Sequence, residues 1–142
     1  MARATRAETL TGSSRKIEFY SDFLNSFAKT PVGNQLGRVI NEKSIQQALK
    51  NIILTNLGER FFQPYIGSGV NALLFENNIT EVLTDLQFQI ELAIRNCEKR
   101  VNLIGVDVTD GQSEHEVIVT IVYNTINNPE PITFEYILKR VR

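Results

Sequence analysis

The chain has 142 residues, with 15 Lys and Arg against 16 Asp and Glu and a formal net charge of −1. That balance excludes a broadly basic nucleic-acid surface, while 42% hydrophobic and 22% charged residues fit one globular domain able to bury a core. One Cys and one His exclude an internal disulfide and a Cys/His zinc site, and no apolar run approaches the roughly 20 residues of a membrane helix.

Residues 1–16 carry Arg3, Arg6, Arg15 and Lys16 against Glu8, with little to bury. They read as a flexible N-terminal arm, without the apolar stretch of a secretory signal. Residues 17–142 read as a single domain. Its first part, IEFYSDFLNSF over 17–27, suggests a short extended piece with a turn, and Pro31 and Gly33 interrupt any helix. Residues 34–43 stay ambiguous.

Ser44 and Gln47 stand in capping-box spacing, which predicts a helix start at Ser44. Ile45, Leu49, Ile52 and Ile53 then recur at helical spacing, and Gly58 suits the left-handed turn that closes such a helix. A loop through Pro64 and Gly69 leads to a short helix near Asn71–Glu76, with Leu73, Leu74 and Phe75 facing the core. A longer helix is predicted from about Thr80 to Cys97. Ile79, Leu83, Leu86, Ile90, Ala93 and Cys97 line one side, and that phase makes Cys97 a buried core thiol.

From Val101 the period becomes two. Ile104, Val106 and Val108 alternate, and Asp110-Gly111 signals a turn. His115 to Thr125 is dense in Val and Ile, as in a strand buried on both faces. After the Asn127-Asn128-Pro129 turn, Ile132, Phe134, Tyr136 and Leu138 alternate with Thr133, Glu135, Ile137 and Lys139. The class is α+β, with helices packed on one face of a small, mainly antiparallel sheet that ends in a three-strand meander.

Chemistry is sparse. A Ser-His-Asp arrangement would need His115, which reads as a solvated strand-end residue between Glu114 and Glu116. No GxSxG elbow, HExxH or P-loop spacing occurs, and Asp107 to Glu114 lacks the oxygen donors of a calcium loop. No cofactor or metal is implied. Paired carboxylates are harder to set aside, because a glycosidase needs only two, held roughly 5–9.5 Å apart. Glu91 and Glu98 lie roughly 10 Å apart by helix rise, and Glu59 and Glu76 flank the central loop. The ordinary reading is surface acids; the competing reading is a lysozyme-like glycosidase.

The stretch NIILTNLGERFFQPYIGSGVNALLFEN, the following helix ending RNCEKRV, the β-hairpin and the VR terminus resemble the small baseplate wedge subunit of T-even-like contractile-tailed phages. The resemblance covers about residues 40–140. A loop that commonly reads G-x-R-P-F-x-P-x-F-G in that family is Gly58-Glu59-Arg60-Phe61-Phe62-Gln63-Pro64-Tyr65-Ile66-Gly67 here, with Phe61 where proline is usual. A Glu-Pro-Arg at the end of the long helix is Glu98-Lys99-Arg100 here, keeping acid and base without the proline.

The resemblance implies a structural, non-enzymatic virion component that connects the baseplate wedge to the tail sheath and templates sheath assembly. It implies several copies in a six-fold assembly, built in the host bacterial cytoplasm, with neither nucleic acid nor membrane as partner. Glu98, Arg100, Arg60 and Tyr65 would meet other wedge proteins. Tyr136, Lys139, Arg140 and Arg142 would meet the sheath protein, the last strand offering its free edge while its cations discourage premature pairing. The family has also been called a baseplate lysozyme, a label these residues do not support.

Overall fold

The computed structural model describes residues 18–31, 33–76, 79–111 and 116–139. In chain order its elements are β1 (Ser21–Phe23), β2 (Arg38–Ile40), α1 (Glu42–Leu54), α2 (Val70–Leu73), α3 (Ile79–Cys97), β3 (Val101–Asp110), β4 (Glu116–Thr125) and β5 (Asn128–Lys139). The α+β class and the C-terminal meander are as expected. β3, β4 and β5 form an antiparallel sheet in that order, separate from the β1–β2 pair. No helix among the described residues is long and apolar enough to cross a membrane. The arm expected at 1–16, and His115, Arg140 and Arg142, lie outside the described residues.

Residues 18–40, opaque in sequence, form a short hairpin tied to α1 by amides. Asn41, at φ 51°, turns the chain into the helix, and its Oδ1 accepts from the backbone N–H groups of Phe19 and Tyr20. Gln47 donates to the Phe23 carbonyl at 2.7 Å and accepts from the Asn25 amide at 3.2 Å. The capping box is therefore overturned. The helix begins at Glu42, Ser44 is fully buried one turn in, and its Oγ has no hydrogen-bond partner among the described residues. Helix entry is set by the Asn41 backbone and the hairpin, which override the local Ser-x-x-Gln signal.

The exit also differs from expectation. α1 stops at Leu54 with Thr55 extended (φ −84°, ψ 128°), so Gly58 does not close it. Gly58 sits left-handed (φ 83°) in the loop beyond, where its N–H donates to the Pro64 carbonyl.

One apolar layer joins the helices to the sheet. Ile45, Leu49 and Ile53 of α1 and Val82, Leu86, Ile90 and Ile94 of α3 meet Val106 and Val108 of β3 and Val119, Ile121 and Tyr123 of β4. Fully burying such side chains contributes about 1.5–3 kcal/mol each. Two residues depart from the predicted phase. Cys97 is only partly buried because it lies in the last turn of α3, where the packed layer ends. Phe75, just past α2, is 66% exposed while Leu74 points inward.

β4 alternates buried and half-buried residues rather than being covered on both faces, because the helices lie on one side only. In β3 the register slips between Leu103 and Gly105. That bulge throws Ile104 out to 57% exposure, although its spacing had matched the inward set.

Candidate functional site

Three surfaces carry the residues of interest. The first is the corner between α3 and β3. The Glu98 N–H continues the helix by donating to the Ile94 carbonyl at 2.9 Å. Its carboxylate, only 6% exposed, then takes Arg100 Nε at 2.7 Å and Nη2 at 2.6 Å. The Arg100 amide adds a third bond to the same carboxylate at 3.2 Å. Charge-assisted bidentate pairs of this kind are the strong ones, and the hydrogen bond to Glu98 raises the guanidinium pKa above its ordinary value.

Arg100 also stands 5.4 Å from the centre of the Tyr20 ring. Its carbonyl receives the Ile126 amide at 3.3 Å. The corner thus ties together the helix end, the N-terminal hairpin and the β4–β5 turn. Lys99, where the family has proline, swings its ammonium to the Arg95 carbonyl at 2.9 Å and satisfies one of the free carbonyls at the helix end. A proline is not needed to bring acid and base together.

The second surface is the loop from Asn56 to Ser68, pinned at its base. Asn56 and Ser68 form a parallel bridge. Ser68 donates from its amide to Thr55 O at 2.8 Å and from Oγ to Ile53 O at 2.6 Å. A Cβ on Gly67 (φ 144°) would lie 2.6 Å from the Thr55 carbonyl oxygen, so the close approach requires glycine. Internal bonds from Gly58 to Pro64, Gln63 to Arg60 and Ile66 to Gln63 shape the tip.

That ordered tip holds Phe61 at 96%, Phe62 at 97% and Tyr65 at 71% exposure, with Arg60 exposed beside them. Leu57 and Tyr65 share a cleft of about 60 Å³ with Leu92 of α3. Phe88, one helical turn from Leu92, extends the apolar surface along α3. Leu57, Phe88 and Leu92 were not singled out from sequence. The available signal was that Phe88 and Leu92 fall between the positions of the core stripe, on the outward side of the helix.

The third surface is β5, an edge strand of the sheet, as β3 is on the other side. Tyr136 does not present its ring outward. It is half-buried on the helix face, stacked on Phe134 at 6.4 Å and covered by the Lys50 ammonium at 5.0 Å. Lys139 is 71% exposed and pairs across the strands with Glu116 at 3.3 Å. Pro129 and Pro131 lack N–H donors, so the stretch of β5 suited to pairing with a further strand is 132–139.

Two of the four carboxylates weighed for glycosidase chemistry are engaged within the fold. Glu98 is buried and held by Arg100, while Glu59 accepts the Asn56 amide at 2.8 Å within the loop. A cleft of about 170 Å³ between Tyr20, Asn41, Ile45 and Thr125 contains Glu42 as its one acid among the described residues. No cluster of His, Cys, Asp or Glu that would hold a metal occurs among the described residues.

The chain as a whole is similar to known proteins. Residues 40–130 match the family described as baseplate wedge protein gp25. The chain belongs to that family. It is 31% identical over 115 residues to baseplate wedge protein gp25 of Enterobacteria phage T4, covering 81% of this chain and 86% of that protein. Two solved structures share the fold. One, a Geobacter sulfurreducens protein described as a tail lysozyme, has a TM-score of 0.65 at 22% identity over 71% of this chain and 92% of its own. The other, in the six-fold symmetrised baseplate of the anti-feeding prophage, has a TM-score of 0.60 at 18% identity over 87% of each chain. The wedge chain is accordingly a structural component of a phage tail baseplate; the word lysozyme is that relative's label.

Proposed function

We propose that the wedge chain links the baseplate wedge to the tail sheath and starts sheath assembly by strand pairing, without catalysis. The observation that supports it best is the edge position of β5, which among the described residues pairs with β4 alone, on a sheet whose helix layer packs against one face. An unpaired row of amides and carbonyls there suits addition of a strand from the sheath protein, and alternate side chains would set its register. Lys139 stands at the end of that edge, and its charge, with those of Arg140 and Arg142 that follow it in sequence, would guard against unspecific pairing. Tyr136 acts in this reading by stiffening β5 from the helix face.

Toward the wedge, the loop tip with Arg60, Phe61, Phe62 and Tyr65 supplies contact area, and Arg100 supplies charge from a fixed corner. Glu98 serves chiefly to hold Arg100 in place. The assembly is six-fold, with several copies built in the host cytoplasm.

The test is truncation. Removal of residues 139–142 is expected to reduce sheath binding at least tenfold while co-purification with wedge subunits stays intact. Equal loss of both would count against strand donation.

A further inference from the structure

The outward side of α3 carries a second stripe, separate from the one that faces the core. Glu81, Asp85, Phe88, Leu92, Arg95 and, just past the helix end, Lys99 are all exposed. They follow one another in alternate steps of four and three, the spacing by which two helices pack along a coiled-coil seam. In the middle stand Phe88 at 61% and Leu92 at 44% exposure, and Leu92 also lines the cleft of Leu57 and Tyr65.

The charges along the stripe are ordered. Asp85 comes before the apolar pair and Arg95 after it, and neither side chain has an ionic partner among the described residues. Phe88 and Leu92 are placed evenly about Ile90, and so are Asp85 and Arg95. Glu81 and Lys99 stand one step further out about the same centre. A second α3 laid antiparallel about Ile90 therefore sets Phe88 on Leu92 and Asp85 on Arg95, each twice. A parallel copy would set Asp85 on Asp85 and Arg95 on Arg95. The stripe is its own complement in the antiparallel sense, as a two-fold contact requires.

We propose that the free chain pairs with a second copy of itself through this face of α3, antiparallel and centred on Ile90. Phe88 against Leu92 forms the apolar centre, and an Asp85–Arg95 ion pair flanks it on either side. Along about 28 Å of helix the contact is small beside the roughly 1,200–2,000 Å² of stable complexes. The pair is therefore weak and gives way to tighter partners on incorporation. Until then it shields apolar surface that would otherwise favour unspecific association. The inference is independent of strand donation, which uses the edge of β5.

Sedimentation equilibrium of the full chain, from about 1 µM to about 1 mM, tests it. The weight-average mass is expected to rise from 16.1 kDa toward twice that value. Asp85→Arg and Arg95→Asp should each weaken pairing about tenfold or more, because like charges then face each other on both sides of the centre. Mixing the two variants should restore pairing, since each supplies the charge that the other lacks. Phe88→Ser should abolish it and leave the melting temperature of this exposed position nearly unchanged. A monomer across the whole range overturns the proposal. So does undiminished pairing in either charge variant, or a mixture that associates no better than its components. A monomeric chain whose Phe88→Ser variant loses co-purification with wedge subunits also overturns it, because the face then belongs to the wedge.

Discussion

Glu98 and Arg100 are already each other's partners. Two side-chain hydrogen bonds of 2.7 and 2.6 Å join a nearly buried carboxylate to a guanidinium that remains 35% exposed. The pair is thus a structural brace that leaves the outer side of Arg100 exposed. Arg100→Ala leaves Glu98 buried without its partner and should cost about 1–3 kcal/mol. Urea denaturation would read this as a lower midpoint. Glu98→Gln should cost less, because a neutral amide oxygen still accepts from Arg100.

Two buried hydroxyls lack hydrogen-bond partners among the described residues, Ser44 Oγ and Tyr123 Oη. Ser44→Ala removes an orphaned polar atom and raises helix propensity, so it should stabilise the chain by about 0.5–1.5 kcal/mol. Thermal melting at neutral pH checks this. A large loss of stability would show that the Ser44 hydroxyl is bonded after all.

Burial raises the Tyr123 pKa above its ordinary 10.0, with the nearby Gln46 side chain pulling partly the other way. The sign follows directly. Above about pH 10 the unfolded chain releases the phenolic proton while the folded chain holds it, so stability falls as pH rises. Below that pH the contribution is fully present. Melting curves between pH 9 and 11 should show this loss, and Tyr123→Phe should reduce it while changing neutral-pH stability little.

Gly67 and Gly58 separate two roles of glycine in one loop. Gly67→Ala puts a Cβ 2.6 Å from Thr55 O, which fixes the loop base, and should cost more than about 2 kcal/mol. Gly58→Ala meets nothing within 4 Å and carries only the strain of φ 83°, so about 1 kcal/mol is expected. Comparable losses at both positions would show that the close approach at Gly67 is not a constraint.

The periodic parts of this chain were legible in the sequence. Leu86, Ile90 and Ile94 repeat at helical spacing, and Ile132, Phe134, Tyr136 and Leu138 alternate, because each element buries one face against a single layer. What stayed hidden depended on contacts between distant residues. Asn41 gains its role from Phe19 and Tyr20, and Gln47 from Phe23 and Asn25, none of which a local window can pair. The bulge at Ile104 moved one residue off its expected face. At the corner, Glu98 and Arg100 were visible as residues, but their mutual pairing was not.

Phe61 and Phe62 bury almost nothing, so Phe61→Ser and Phe62→Ser should alter stability by no more than about 0.5 kcal/mol. Wedge co-purification should nonetheless drop several-fold. A large fall in melting temperature would instead assign these rings to the fold.

The most direct test of the account is electron microscopy of particles assembled without this chain. The predicted result is baseplates or tubes that carry no sheath. Tails bearing normal extended and contracted sheaths in its absence would contradict the account.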